Sequence, residues 1–252
     1  MERIDDTGFG GIRVIQTKGS GYGVDAVLLA AFASGESGAR GLPKNSAWPL
    51  RIADLGTGSG VVAFILHHKL GRARITGFDV NPGAVDRARR ACSMNGLEGD
   101  IDFVCCDIKN ICTDEGGCPG SFDAVVTNPP YFRRTPDEPG AADPDERYIA
   151  RHETTADISD FARAASLMLR AGGSLYMVHR PDRLADIICE LRAAGLEPKE
   201  MQQVSPEHGE ASNIVLIHAV KGAGPELRML PEISVHLPGG GYTEDILRYY
   251  ER

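Results

Sequence analysis

Arg51-Ile-Ala-Asp54-Leu-Gly56-Thr-Gly58-Ser-Gly60 runs directly into Val61-Val-Ala-Phe-Ile-Leu-His-His-Lys69. Arg51–Leu55 reads as a short strand, and Val61 to about Lys69 as a helix. Between them, alternating glycines let the backbone turn sharply and approach a ligand where a Cβ would clash. The helix N-terminus that follows offers unpaired amides. Strand, glycine loop and helix in that order open an α/β fold, and the rest of the chain repeats the unit.

Working outward, Arg74–Asp79 is a second strand, and Asn81-Pro82 opens a helix with proline inside its first turn. Ala84, Val85, Ala88, Ala91 and Cys92 share one face of that helix. Ile101–Val104 is a third strand, and Phe122–Thr127 a fourth that stops at Asn128-Pro129-Pro130-Tyr131. A polar, proline-bearing loop spans about 133–156. Ile158, Phe161, Ala162, Ala165, Met168 and Leu169 then form a helical stripe, stopped by Gly172-Gly173. Ser174–Val178 is a fifth strand. Pro181 opens a helix with Leu184, Ile187, Ile188 and Leu191 inward, ending at Gly195, and strands near Glu200–Val204 and Asn213–Val220 close the pattern. It predicts a mostly parallel sheet covered on both faces, with ligands beyond the strands' carboxyl ends at the topological switch point. Before residue 51, Arg13–Gln16 reads as an edge strand, Asp25–Ala33 as a helix and 34–50 as a loop. Residues 1–50 are therefore expected to be an extension packing on a domain of residues 51–252.

Composition narrows the classes. The chain has 252 residues, 42% hydrophobic and 25% charged, the proportions of an ordinary globular protein. Its longest apolar run, Ala26–Ala33, is far below the roughly 20 residues that span a bilayer, and Met1-Glu-Arg-Ile-Asp-Asp6 is too polar for a signal peptide. A cytoplasmic location is expected. Six cysteines contain no C-x-x-C pair, which argues against a zinc or other metal site; they read as reduced thiols, mostly packing. The net charge of −8 argues mildly against a large nucleic-acid footprint. Residues 40–92 nevertheless carry 9 basic and 3 acidic side chains. Arg87, Arg89 and Arg90 read as the solvated face of a helix rather than as a handhold for a polyanion.

The glycine loop selects its ligand by what it lacks. A dinucleotide fingerprint, G-x-G-x-x-G, needs glycine at 61, and the chain has Val61. The pattern is D-x-G-x-G-x-G, with an acid ending the first strand. That acid suits a cationic ammonium such as the methionine end of S-adenosylmethionine (SAM), and suits pyrophosphate poorly. Asp79, ending strand two, can accept from ribose hydroxyls, and Asp107, past strand three, can meet an adenine amine. Asp54, Gly56, Thr57, Gly58, Gly60, Asp79, Val80, Asp107 and Ile108 form the candidate cofactor set.

Asn128-Pro129-Pro130-Tyr131 projects over the same crevice and is the candidate catalytic set. The Asn128 side-chain oxygen and a proline-held backbone carbonyl can both accept from a planar amine, aiming its nitrogen at the cofactor methyl. Tyr131 supplies an aromatic face for an unpaired base. Such a site works by positioning and electrostatics, without a strong general base.

D-x-G-x-G-x-G with Asn128-Pro-Pro-Tyr131 resembles the class I SAM-dependent methyltransferases that modify exocyclic or amide nitrogen. More closely, the chain is similar to the bacterial tRNA(Val) adenine-N(6) methyltransferases. Gly21–Ala30, Ala150-Arg-His-Glu153, Val178–Leu184 and Lys221-Gly222 through Gly241–Asp245 carry that likeness. It implies a Rossmann-like, seven-stranded α/β sheet whose last strand is antiparallel, with an adenine held by Asn128–Tyr131. It also implies that Gly23 and Asp25 help cover the cofactor. Arg133, Arg134, Arg147 and Arg151 become candidate phosphate contacts for an RNA partner, most simply tRNA. Acidic residues are interleaved with them.

Rival readings remain open. Release-factor glutamine methyltransferases share N-P-P-Y, because a glutamine amide is also a planar NH2, but carry a helical domain before the cofactor loop. Guanine-N2 methyltransferases of ribosomal RNA are longer in their tandem-domain form, and DNA adenine methyltransferases usually add a recognition domain. A SAM-binding module without catalysis is the non-enzymatic alternative, against which Asn128 and Tyr131 argue. Val61 disfavours a nicotinamide dehydrogenase.

Overall fold

The computed structural model describes residues 1–17, 22–111, 119–132 and 155–252. At the N-terminus β1 (Glu2–Asp6) and β2 (Arg13–Thr17) pair antiparallel as a two-stranded sheet of their own. The edge strand expected at Arg13–Gln16 is thus half of a hairpin, closed by a turn in which Gly8, Gly10 and Gly11 adopt positive φ. Next, α1 (Val24–Ala33) is buried at every position from Ala26 to Ala33, the signature of a helix enclosed on all sides.

The main sheet begins with β3 (Leu50–Leu55), α2 (Val61–Leu70), β4 (Ala73–Asp79), α3 (Pro82–Asn95), β5 (Ile101–Cys105) and β6 (Phe122–Thr127). It continues through α4 (Ile158–Met168), β7 (Leu169–His179), α5 (Leu184–Ala193), β8 (Leu196–Glu207) and β9 (Ile214–Lys221). Their order across the sheet is β8-β9-β7-β6-β3-β4-β5. β9 alone of these runs antiparallel, to β7 on one side and β8 on the other. These are the seven strands expected. Two short additions, β10 (Arg228–Met229) and β11 (Ile233–His236), lengthen the sheet to nine by pairing parallel with the outer edge of β8. Runs of two and four residues are too brief to show as periodicity. A last helix, α6 (Glu244–Tyr249), follows.

One boundary differs from expectation. The α4 stripe ends at Met168, and β7 starts at once and runs through Gly172-Gly173. Pairing with β6 goes from Phe122↔Leu169 to Ala124↔Ser174, so residues 170–173 bulge outward. Gly172 takes φ 72° there, and a Cβ on Gly173 would meet the Arg170 carbonyl at 2.9 Å. These glycines serve a bulge rather than a helix stop.

Two apolar layers sandwich the sheet. Phe32, Phe64 and Phe103 mark the layer under α1, α2 and α3, which also holds Phe9, Val14 and Tyr249 from the chain's ends. Phe161, Met168, Ile187 and Leu191 mark the layer under α4 and α5. Of the four described cysteines only Cys92 is buried; Cys105 and Cys189 are exposed, so packing accounts for fewer thiols than expected. No helix among the described residues is long and apolar enough to cross a membrane. With β4 and β6 flanking β3, the sheet's order reverses there and a crevice opens at the carboxyl ends.

Candidate active site

Asp54 is 1% exposed at the end of β3. Its Oδ2 accepts from Thr57 Oγ1 at 2.7 Å, while Oδ1 is buried with no hydrogen-bond partner among the described residues. Burial, reinforced by the charge of Asp79, pushes the Asp54 carboxyl up to about 7 against the Thr57 hydroxyl, which acts the other way. The loop beyond is latched to β4, with the Gly56 and Thr57 amides donating to the Phe78 carbonyl at 2.8 and 3.0 Å. Gly58 (φ 56°) has open space where a Cβ would stand, so only its backbone conformation calls for glycine. Gly60 caps α2 at φ 83°, and a Cβ there would lie 2.6 Å from the Phe103 ring.

Asp79, ending β4, accepts from Gly58 N at 2.8 Å and Asn81 N at 2.9 Å. Burial raises its pKa against those two amides. Asn81 in turn caps α3 through the Gly83 and Ala84 amides. Asp107 begins the turn Ile108–Asn110 and accepts from Lys109 N at 3.0 Å.

A cavity of about 160 Å³ lies over these strand ends. It collects Gly56, Gly58, Asp79, Val80, Asp107 and Ile108 on one side with Asn128 and Pro130 on the other. Thr57 and Pro129 are buried and do not line it. Asp54, Gly60, Tyr131, Gly23 and Asp25 are likewise absent from the lining. Gln16, Thr17, Asn81, Arg87 and Phe161 line it without having been anticipated. Phe161 was visible only as one member of a core stripe, and nothing local marks Gln16 or Thr17 as a wall.

Tyr131 does more than offer a ring. Its Oη sits 2.8 Å from Asp25 Oδ2 and 2.7 Å from Asn128 Oδ1. Burial and the Asp25 carboxylate together hold the phenol well above its ordinary pKa. The ring packs edge-on against His179, centroids 5.2 Å apart. His179 is 0% exposed, and its Nδ1 accepts from Arg180 N at 2.8 Å, which places the proton on Nε2. Burial pushes this imidazole down to about 4. Beside it, exposed Phe132 carries the Arg180 guanidinium 5.3 Å from its ring centroid.

Arg133, Arg134, Arg147 and Arg151 lie outside the described residues, as does Ala150–Glu153. In the basic stretch, Arg89 donates to the Phe103 carbonyl and Arg90 to Glu2 and Asp86, while Arg87 faces the cavity.

Residues 52–142 match the family model of a methyltransferase domain. A protein of Porphyromonas gingivalis named tRNA1(Val) (adenine(37)-N6)-methyltransferase is 31% identical over 66% of this chain and 60% of its own length. One of the same name from Bacteroides fragilis is 25% identical over 90% of both. A release factor glutamine methyltransferase of Deinococcus radiodurans is 31% identical over 58% of this chain and 51% of its own length. The chain thus spans about 60% of the P. gingivalis protein and about half of the D. radiodurans one. Among solved structures, a protein described as a predicted O-methyltransferase from Agrobacterium tumefaciens superimposes with a TM-score of 0.69, covering 90% of this chain and 95% of that one at 22% identity. The fold is that of class I methyltransferases.

Proposed function

We propose that this chain moves a methyl group from SAM to the exocyclic N6 amine of an adenosine in tRNA. The observation that carries the reading is the single cavity shared by Asn128 and Pro130 with Gly58, Asp79, Val80 and Asp107. The residues suit SAM. Asp54 Oδ1 is a buried acceptor lacking a donor, which matches a cationic ammonium or a water held by it. Gly58 leaves room for close approach, Asp79 retains lone pairs for ribose hydroxyls, and Val80 and Ile108 offer apolar faces to a purine. When bound, SAM supplies an electrophilic methyl on a sulfonium.

The protein's part is placement. Asn128 Oδ1 accepts from the target amine while a carbonyl in the rigid Pro129-Pro130 pair accepts its second proton, holding the nitrogen lone pair toward the methyl. Acceptors fixed before the reaction stabilise the positive charge that grows on that nitrogen. An adenine inside a paired stem has to leave its stack to reach Asn128. The B. fragilis relative, which aligns across the N-terminal and C-terminal parts as well as the centre, favours tRNA. A glutamine amide is the second reading, favoured by the D. radiodurans relative.

Labelled SAM offered with total tRNA, ribosomal RNA, DNA and protein extract in parallel tests both. Label recovered from tRNA as N6-methyladenosine is expected. Label in protein glutamine would replace the first reading with the second, and no label in any fraction would overturn both.

A further inference from the structure

Tyr131 Oη has one proton and two neighbours that call for it, Asp25 Oδ2 at 2.8 Å and the Asn128 amide at 2.7 Å. A carboxylate is the stronger acceptor, because a hydrogen bond to a charged oxygen is roughly twice as strong as one to a neutral oxygen. Asp25 also stands in the first turn of α1, where the helix dipole favours negative charge. The proton therefore belongs to Asp25, and the phenol oxygen is left as an acceptor. The two ends of a carboxamide have the same shape, so Asn128 can face the phenol with either its NH2 or its oxygen. With the phenol accepting, only the NH2 end fits. Asn128 lines the cavity, so turning its NH2 to Tyr131 frees Oδ1 for the cavity side.

We infer that Asp25 is a positioning residue for methyl transfer: it takes the Tyr131 proton and so turns Asn128 to present its carbonyl oxygen to the target amine. Asp25 lies 106 positions from Tyr131 in sequence. The inference rests on reading Asn128 as the acceptor of that amine. Without Asp25, the Tyr131 hydroxyl donates to Asn128 Oδ1 and draws the acceptor away. The amide then shows its NH2 to a substrate NH2, donor against donor.

This arrangement has a signature that a merely structural Asp25 lacks. Asp25→Ala is expected to lower kcat about 100-fold, the scale of losing one fixed hydrogen bond at a reacting centre, with SAM affinity within about twofold of the parent. Asp25→Asn, whose side-chain oxygen still accepts from Tyr131, restores most of the rate. Adding Tyr131→Phe to Asp25→Ala removes the misdirecting hydroxyl and is expected to raise kcat to the level of Tyr131→Phe alone. A double variant slower than Asp25→Ala, or Asp25→Ala at the parental kcat, overturns the role.

A second readout needs no turnover. The Asn128 side-chain amide, identified by NMR through its loss in Asn128→Asp, is expected to show one slowly exchanging proton in the parent. That protection should vanish in Tyr131→Phe, which keeps the ring's packing on His179. An unprotected amide in the parent overturns the role of Asp25 even if methyl transfer is confirmed. A protected amide in a chain that methylates no acceptor overturns the proposed function and leaves the hydrogen-bond chain standing.

Discussion

Asn128, Asp79 and Asp54 each make a claim that one substitution can test. Asn128→Ala is expected to abolish methyl transfer while leaving SAM affinity nearly intact, as read by turnover beside equilibrium binding. Asp79→Ala removes the acceptor of the Gly58 and Asn81 amides. It should weaken SAM binding by about 1–3 kcal/mol, the cost of unpaired buried polar groups. Asp54 and His179 pull stability in opposite directions with pH. Folded Asp54 keeps its proton up to about 7, whereas an unfolded aspartate releases it near 3.8, so the Asp54 contribution falls as pH rises across that interval. Folded His179 refuses a proton until about 4, whereas an unfolded histidine takes one near 6.5, so its contribution falls as pH drops through that window. Asp54→Asn removes only the first slope. Urea unfolding of parent and variant should therefore show the variant gaining relative stability from about pH 4 to about pH 7 and no further gain above it. A pH-independent difference would mean that the buried carboxyl does not titrate as its surroundings dictate. Asp54, Asp79 and Asn128 stood out in the sequence as candidate site residues because each lies at or just past a strand's carboxyl end. Asp25 was readable only by likeness, and its tie to Tyr131 not at all, since that tie crosses 106 residues.

At the scale of elements, the loop between β3 and α2 has little freedom at Gly60. A methyl group on Gly60 would press on Phe103 and Phe64 while forcing a left-handed backbone on alanine. Gly60→Ala is expected to cost about 2–4 kcal/mol, combining strain at an unfavourable φ with overpacking, and chemical denaturation would measure it. The N-cap of α4 offers a milder test. Asp157 and Asp160 bond each other's backbone amides as a capping box, so Asp157→Ala should cost about 1 kcal/mol. Element types were legible wherever an apolar period met a boundary residue, as at Asn81-Pro82 or along the α4 stripe. The glycine pair at 172–173 misled because a bulge and a helix stop ask for the same residue. β10 and β11 left no mark because their stability comes from the neighbouring edge of β8, not from their own pattern.

Across the whole molecule, the two ends of the chain meet. Phe9 is 0% exposed, stacks against Tyr250 with centroids 6.1 Å apart, and lies under the Lys69 ammonium at 5.1 Å. Lys69 is itself bonded to Glu36 at 2.7 Å and paired with Glu251. Phe9→Ala is expected to cost about 3–5 kcal/mol. It should also weaken SAM binding, because Phe9 belongs to the hairpin that carries Gln16 and Thr17 into the cavity wall, a hairpin that α3 also holds through Asn95 and Arg13. Unfolding and cofactor titration of the same variant would check both, and a loss of stability with unchanged affinity would detach the hairpin from the site. None of this closure is legible locally, since its contacts join residues from 33 positions apart, Glu36 and Lys69, to 241 apart, Phe9 and Tyr250.

The placement of β9 bears on how the chain is made. Every residue lining the cavity lies between Gln16 and Phe161, whereas the strand that joins β7 to β8 begins only at Ile214. As the polypeptide leaves the ribosome, the lining of this cavity is therefore fully synthesised while β7 and β8 still lack the partner that separates them. Until Lys221 has emerged, the nascent chain carries unpaired strand edges of the kind that invite pairing with other chains. That exposed interval thus falls after every residue of the cavity has been made, so a ligand that binds the cavity is expected to shorten it by holding the earlier part of the sheet together.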